Sequence, residues 1–235
     1  MTTIAPVRGI IFDKDGTLFD FATTWEAWAN AFLLRLADGD RARAALLGNA
    51  IGFNVQTATF HKESLVIAGT AAEVAAALRP HVPHIAPDRL LATISEEAAH
   101  APQAEAVPLA PFLNDLRARN LKLGVATNDA EAPARAHLEA AGVVDRFDFI
   151  AGFDSGHGGK PEPGQLLAFC TKTNLAPDTV IMVGDSLHDL RAGRAAGMRT
   201  LAVLTGMAEE SDLAPHADAV LPDIGHIPAW LDQLP

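Results

Sequence analysis

The sequence predicts an α/β fold in which a parallel sheet is flanked by helices and interrupted after its first strand by a block of helices. The apolar run Ile10-Ile11-Phe12 has the length and β-branched content of a buried strand. Residues 21–107 then show helical patterns without a convincing strand, whereas short apolar runs alternate with helices from about residue 108 onward. Strands that alternate with helices form parallel sheets covered on both faces.

The composition is that of a globular protein. Of its 235 residues, 49% are hydrophobic, and the net charge of −11 argues against nucleic acid or an anionic membrane as a main partner. The lone cysteine, Cys170, excludes an internal disulfide and indicates a reducing compartment, most simply the cytoplasm. No apolar run reaches the ~18 residues of a membrane span, and the N-terminal sequence lacks the features of a signal peptide. The composition leaves monomer and homodimer open.

The block after the first strand contains four predicted helices. The first has aromatic and aliphatic residues at helical spacing, beginning with Trp25 and Trp28, and has Thr23 or Thr24 as its N-cap. The next three are predicted over 41–51, from a capping box at residue 70 to residue 78, and over 88–100. The loop 52–62 is the most polar and aromatic of the block, and its His61 and Lys62 are candidates for reading a substrate.

The second part of the chain alternates helices with strands. Predicted helices begin near residues 109, 131 and 163, and a fourth ends at Gly197; Gly142 is the expected left-handed cap of the second. Strands are predicted over 121–126, 147–150, 179–183, 200–204 and 217–221.

Polar clusters follow four of these strands. Ligands of open parallel sheets bind beyond the carboxyl ends of the strands, so we expect the clusters to meet at one edge. Gly16 lies where the chain leaves the first strand and needs a permissive backbone. In strand order the clusters are Asp13 with Asp15, Thr127 with Asn128, Lys160, and Asp185 with Asp189.

Phosphoryl transfer is the chemistry that such a set supports. Carboxylates on different strands, Asp13 and Asp185, are oxygen ligands suited to Mg²⁺. Asp13 could then attack phosphorus, while Asp15 protonates the leaving group and later deprotonates water. Thr127 and nearby amides would hold phosphate oxygens, and Lys160 would balance the negative charge.

Four stretches resemble, in order, the motifs of the haloacid-dehalogenase superfamily. They are Asp13-Lys-Asp15-Gly16-Thr17-Leu18, Val125-Ala-Thr127-Asn128, Gly159-Lys160-Pro161-Glu-Pro163 and Gly184-Asp185-Ser-Leu-His-Asp189. Within that superfamily the chain is most similar to phosphoglycolate phosphatases, given Ala192-Gly-Arg-Ala-Ala-Gly197-Met after the last motif. The resemblance implies a Rossmann-like catalytic core over 1–20 and 108–235, with a helical cap over 21–107.

The resemblance also implies the role of each site residue. Those implied in catalysis are Asp13 as nucleophile, Asp15 as acid/base, Thr127 and Lys160. Those implied in phosphate binding are Gly16, Thr127, Asn128 and Lys160. Mg²⁺ would be ligated by Asp13, Asp185 and the main-chain carbonyl of Asp15, and Asp189 would order Lys160 or a metal-bound water. Lys14, His157 and His188 receive no role.

The predicted activity is Mg²⁺-dependent hydrolysis of a small phosphorylated metabolite, with 2-phosphoglycolate as the best single candidate by analogy. A phosphosugar mutase carries the same four motifs and stays open. A phosphonate hydrolase would need a cap lysine, and Lys62 is the only one. A dehalogenase usually lacks the second acid, so Asp15 counts against it, and a binding protein would be expected to have lost part of the set.

Overall fold

The computed structural model describes residues 5–234. The residues 1–4 and 235 lie outside this range, so the prediction of no signal peptide falls partly on residues that the structure does not describe. Among the described residues, no helix is both long enough and apolar enough to cross a membrane.

Six parallel strands form the predicted sheet, in the order β5-β4-β1-β6-β7-β8. Its central strands β1 and β6 are buried along their whole length, which explains why both are apolar without alternation. The strands are β1 (Gly9–Phe12), β4 (Lys122–Ala126), β5 (Phe149–Ala151), β6 (Val180–Gly184), β7 (Arg199–Val203) and β8 (Ala219–Leu221).

Helices cover both faces of this sheet. Alternate side chains of β1 divide between two hydrophobic clusters, with Ile10 and Phe12 in one and Ile11 in the other. The buried thiol of Cys170 belongs to the second cluster, as expected for a small core residue. The helices are α6 (Leu109–Ala118), α7 (Glu131–Ala140), α8 (Gly164–Thr173), α9 (Leu187–Ala195), α10 (Glu210–Leu213) and α11 (Ile227–Leu231).

The block after β1 is helical apart from one small strand pair. Its helices are α1 (Phe21–Leu36), α2 (Arg41–Ile51), α3 (Leu65–Ala68), α4 (Ala71–Leu78) and α5 (Pro87–Ala98). The expectation of no strand in this block is wrong, because β2 (Phe53–Asn54) pairs antiparallel with β3 (Thr59–Phe60). The pair is too short to leave a periodic pattern, and the contact of the Phe53 and Phe60 rings, 4.8 Å apart, holds it together.

The helical block has a hydrophobic cluster of its own and is joined to the sheet by two adjacent segments. The amide of Asp20 donates to the carbonyl of Ala104 over 2.8 Å, and the amide of Ala106 donates to the carbonyl of Leu18 over 2.9 Å. The chain therefore enters and leaves the block at neighbouring points, directly beyond the carboxyl end of β1.

The predicted N-cap of α1 is wrong. The helix begins at Phe21, and the Asp20 side chain accepts the Thr23 amide over 2.8 Å, so that Thr23 and Thr24 lie inside the first turn. Aspartate and threonine both cap helices well, and it is the extended backbone of Asp20 that distinguishes the true cap.

Strand boundaries differ from prediction by one or two residues. For example, β5 begins at Phe149 because residues 144–146 form a turn of 3-10 helix.

Replacing the observed cap tests this assignment. We expect Asp20→Ala to lower the free energy of unfolding by about 1 kcal/mol, because the first amides of α1 lose their acceptor. Urea denaturation measures this, with the exposed Thr23→Ala as the matched control. A larger loss in Thr23→Ala than in Asp20→Ala would contradict the assignment.

Candidate active site

The polar clusters that follow β1, β4, β5 and β6 meet at the carboxyl edge of the sheet, as predicted. Lys160 connects two of them: its Nζ lies 2.6 Å from Asp13 Oδ1 and 2.6 Å from Asp189 Oδ1. All three side chains are buried. Asp13 comes from the end of β1, Asp189 from the first turn of α9, and Lys160 from the loop after β5.

Asp185 completes a cluster of three carboxyl groups. One oxygen each from Asp13, Asp185 and Asp189 lie within 4.8 Å of one another. Two glycines leave the space for Asp185: a Cβ added at Gly16 would lie 2.4 Å from its Oδ2, and one added at Gly206 would lie 1.8 Å from it. Gly16 also has a φ of +78°, so its predicted permissive backbone is confirmed.

Burial and mutual repulsion raise the pKa values of Asp13 and Asp185. Burial, opposed by Lys160 and reinforced by Asp189, raises the pKa of Asp13 to about 7. The pKa of Asp185 is raised well above its usual range by burial and by the charges of Asp13 and Asp189. Burial would lower the pKa of Lys160, but Asp13 and Asp189 outweigh it and raise that pKa.

This donor set fits a divalent cation. Three buried carboxyl groups face a single ammonium, which leaves an excess of negative charge that a hard cation with oxygen ligands would neutralise. One oxygen of Asp189 accepts a hydrogen bond from Lys160, and the other accepts from the amide and hydroxyl of Ser186. Among the described residues, the side-chain contact that Asp185 accepts is a long one of 3.4 Å from the Thr17 hydroxyl, so its oxygens are the better placed for a metal.

The second motif holds the lysine loop in place. The Asn128 side chain accepts the Lys160 amide over 2.7 Å and donates to the Lys160 carbonyl over 2.9 Å. The Thr127 hydroxyl accepts the Asp129 amide over 3.0 Å and lines the cavity above Asp13. Thr127 thus lies beside the cavity, while the two Asn128 contacts position Lys160.

The acid/base candidate Asp15 has partners that the sequence did not indicate. Lys14 Nζ lies 3.0 Å from its Oδ1 and 2.9 Å from its Oδ2, and the indole Nε1 of Trp25 donates to Oδ1 over 2.8 Å. Lys14 is fully buried and also contacts Asp129 at 3.2 Å and His137 Nδ1 at 3.0 Å. Asp129 and His137 lie more than a hundred residues from Lys14 in the sequence, so no local spacing could have revealed these two contacts.

His137 is a neutral imidazole that links the core to the helical block. Its Nε2 lies 2.8 Å from the carbonyl of Ala98, the last residue of α5, and its Nδ1 faces the Lys14 ammonium. The tautomer consistent with both contacts has the proton on Nε2. Burial, with the charge of Lys14, lowers the pKa of His137 to about 4.

The cavity above Asp13 is closed on its far side by the helical block. None of the described residues of 21–107 that line it carries a charged side chain. Its larger apolar lining residues are Trp25, Trp28, Val66, Ile67, Val74 and Ile94. Trp25 and Trp28 are both buried, with rings 5.2 Å apart, and both also face the cavity.

The specificity candidates lie outside this cavity. His61 is exposed, and Lys62 lies at the edge of a wider groove between the block and the core, paired with Glu209. His188 lines both the cavity and the groove, whereas His157 is exposed in the loop before Lys160.

Comparison with known proteins identifies the family of the chain. A family model described as haloacid dehalogenase-like hydrolase matches residues 7–197. The chain therefore belongs to this family of hydrolases, and the resemblance inferred from the four motifs is confirmed.

Individual relatives are phosphatases. The chain is 33% identical to a phosphoglycolate phosphatase of Rhodospirillum rubrum, covering 95% of this chain and 90% of the relative. It is 31% identical to an N-acetylmuramic acid 6-phosphate phosphatase of Pseudomonas putida, covering 88% and 86%. The predicted class, a phosphoric monoester hydrolase, is confirmed.

The fold is shared with solved structures. The crystal structure of CbbY from Rhodobacter sphaeroides in complex with phosphate matches with a TM-score of 0.68 at 22% identity, covering 96% of this chain and 99% of that one. A likeness at this identity shows the same capped α/β architecture.

The depressed pKa of His137 predicts a loss of stability in acid. The unfolded chain binds this proton at the ordinary pKa of 6.5, whereas the folded protein binds it only at about 4. Stability from this group is therefore complete above pH 6.5 and lost as the pH falls toward 4. Between pH 7 and 5.5 we expect wild type to lose about 1 kcal/mol more of its unfolding free energy than His137→Gln does. Urea denaturation in the presence of a chelator measures this, and equal losses would contradict it.

Proposed function

We propose that the chain is a Mg²⁺-dependent phosphatase that hydrolyses a small phosphomonoester through a phosphorylated Asp13, with 2-phosphoglycolate as the first candidate substrate. The observation that carries this is the contact of one buried lysine with the nucleophile candidate and with Asp189, beside the open carboxyl of Asp185. The candidate substrate follows from the relative in Rhodospirillum rubrum, which is named for it.

The proposed division of the chain follows the motifs. Residues 1–20 and 108–235 form the catalytic core, and residues 21–107 form a cap that closes over the substrate and excludes water. The separate hydrophobic clusters of sheet and helical block support this division. The enzyme is proposed to work in the cytoplasm on a small metabolite, without nucleic acid or membrane.

Asp13 and Asp185, with the main-chain carbonyl of Asp15, would hold Mg²⁺. The metal would neutralise charge on the phosphoryl group and keep the neighbouring carboxylates ionised. Lys160 holds Asp13 Oδ1 and adds a second positive charge, and Thr127 lies where it can donate to a phosphate oxygen.

The two chemical steps use the same two aspartates in different roles. In the first, an Asp13 oxygen bonds to phosphorus as the ester P–O bond breaks, and the Asp15 carboxyl transfers its proton to the leaving oxygen. In the second, the Asp15 carboxylate takes a proton from water, the water oxygen bonds to phosphorus, and the Asp13–phosphorus bond breaks to release phosphate. Asp15 is regenerated in its protonated form, so the cycle closes.

A second candidate is favoured by the cavity wall. Phosphoglycolate carries a carboxylate, yet none of the described cap residues that line the cavity is charged. A desolvated carboxylate without a cation is costly. The phosphate ester of a neutral, largely apolar alcohol fits this wall better, and the two relatives act on different substrates by name at nearly equal identity.

The alternatives considered from the sequence find less support. A mutase must hold its intermediate with polar cap groups while that intermediate turns over, whereas the described cap residues that line the cavity are mainly apolar, with Thr70 as their one polar side chain. Lys62 is exposed and paired with Glu209, which does not suit a Schiff-base lysine facing the nucleophile.

Steady-state hydrolysis of a panel of phosphate monoesters tests the proposal. We expect Mg²⁺-dependent release of phosphate that Asp13→Asn abolishes, since an amide oxygen is a poor nucleophile. The panel pairs phosphoglycolate with neutral esters of similar size. Preference for phosphoglycolate supports the first candidate and preference for a neutral ester the second; undiminished turnover in Asp13→Asn would refute the mechanism.

Metal binding can be tested at a glycine. An alanine at position 206 would place its Cβ 1.8 Å from Asp185 Oδ2, so this carboxylate must move. We expect Gly206→Ala to weaken Mg²⁺ binding by about 10- to 100-fold, measured by titration calorimetry. Gly225→Ala, in an exposed turn after β8, is the control. Unchanged Mg²⁺ affinity in Gly206→Ala would remove Asp185 from the metal site.

A further inference from the structure

The Asp15 carboxyl is held from two sides by buried donors. Lys14 approaches from the core, with its ammonium within 3.0 Å of both oxygens. Trp25 approaches from α1 of the helical block and donates its indole N–H to Oδ1 over 2.8 Å. Asp15 still lines the cavity above Asp13, so the two donors fix its direction without covering it.

Lys14 cannot act on the substrate itself. Its side chain has no exposed surface, and it is not among the residues that line the cavity. Its ammonium is instead fixed by the Asp129 carboxylate and by His137 Nδ1, at 3.2 and 3.0 Å. A buried charge with three fixed partners is a rigid support, because moving it would leave several charged groups unpaired.

Lys14 and His137 contact the helical block at two points. His137, which fixes Lys14, donates to the carbonyl of Ala98 at the end of α5. The Lys14 ammonium also lies 5.4 Å from the centre of the Trp25 ring. Both α1 and α5 must therefore be seated on the core for Asp15 to have its full set of partners.

We propose that Lys14 and Trp25 are positioning residues for the Asp15 carboxyl, and that His137 ties their arrangement to the seating of the cap. The inference rests on the proposed acid–base role of Asp15. Loss of either donor leaves Asp13, Lys160 and the metal ligands in place but allows Asp15 to turn away from the leaving oxygen. A misdirected acid slows the reaction in proportion to how much the leaving group needs a proton.

Leaving-group dependence separates this role from a structural one. An alkyl alkoxide must be protonated as it leaves, whereas p-nitrophenolate leaves without a proton. The parameter kcat/KM reports only the steps through transfer of the phosphoryl group to Asp13. In Lys14→Met and in Trp25→Phe we expect kcat/KM to fall about 10- to 100-fold for an alkyl phosphate but less than about threefold for p-nitrophenyl phosphate.

Three controls make the result decisive. Asp15→Asn should show the same selective loss; if it does not, the acid–base role itself fails, independently of Lys14 and Trp25. Trp230→Phe removes an indole of α11 that packs against the core outside the cavity, so the ratio of kcat/KM for the two esters should stay unchanged. Direct titration with Mg²⁺ should give wild-type affinity in both positioning variants.

Lys14→Met and Trp25→Phe disturb the buried contacts to different extents, so a folding defect in one does not decide the test. Lys14→Met leaves Asp129 and His137 without their buried partner, so the fold of this variant is checked by near-ultraviolet circular dichroism. Trp25→Phe makes a smaller change and removes only the hydrogen bond that Asp15 receives from the cap. An equal fall of kcat/KM for both esters in Trp25→Phe, with selective loss in Asp15→Asn, would overturn the proposal.

Discussion

The buried ammonium of Lys160 is the charge on which the arrangement of the site depends. It contacts Asp13 and Asp189 in a region closed to water, where burial raises the pKa of Asp13. Its main chain is held on both sides by Asn128, which follows a different strand. The lysine thereby connects three strand ends, and a buried pair of this kind is retained only where each partner is matched.

The parallel sheet makes this concentration of charge possible. Strands β4, β1 and β6 lie side by side and end at the same edge, so residues more than a hundred positions apart emerge within hydrogen-bond distance. Gly16 and Gly206, in the loops after β1 and β7, have no side chains, which leaves space for Asp185. Hydrogen bonds within the protein hold these groups in position, which is the condition for effective electrostatic stabilisation.

The sequence predicted the parallel sheet, the alternation of helices and strands along the second part of the chain, and the polar residues that follow four of the strands, because each of these depends on local patterns. It missed the β2–β3 pair, which is too short to show a period, and the Asp20 cap, which depends on backbone geometry rather than residue type. It also left Lys14 without a role. The partners of Lys14, such as His137 and Asp129, are brought together only by tertiary packing. The helical spacing of Trp25 favoured core packing and gave no sign of its contact with Asp15.

The two connectors between core and helical block are hydrogen-bonded neighbours, through Asp20 with Ala104 and Leu18 with Ala106. An insertion whose ends adjoin leaves the host sheet continuous, so its length and sequence are free to vary without strain on the strands. Evolution can therefore exchange the residues that face a substrate while the reacting groups stay where they are. In this chain that freedom has one limit, since a replacement block must still supply an indole for Asp15 and a helix end for His137.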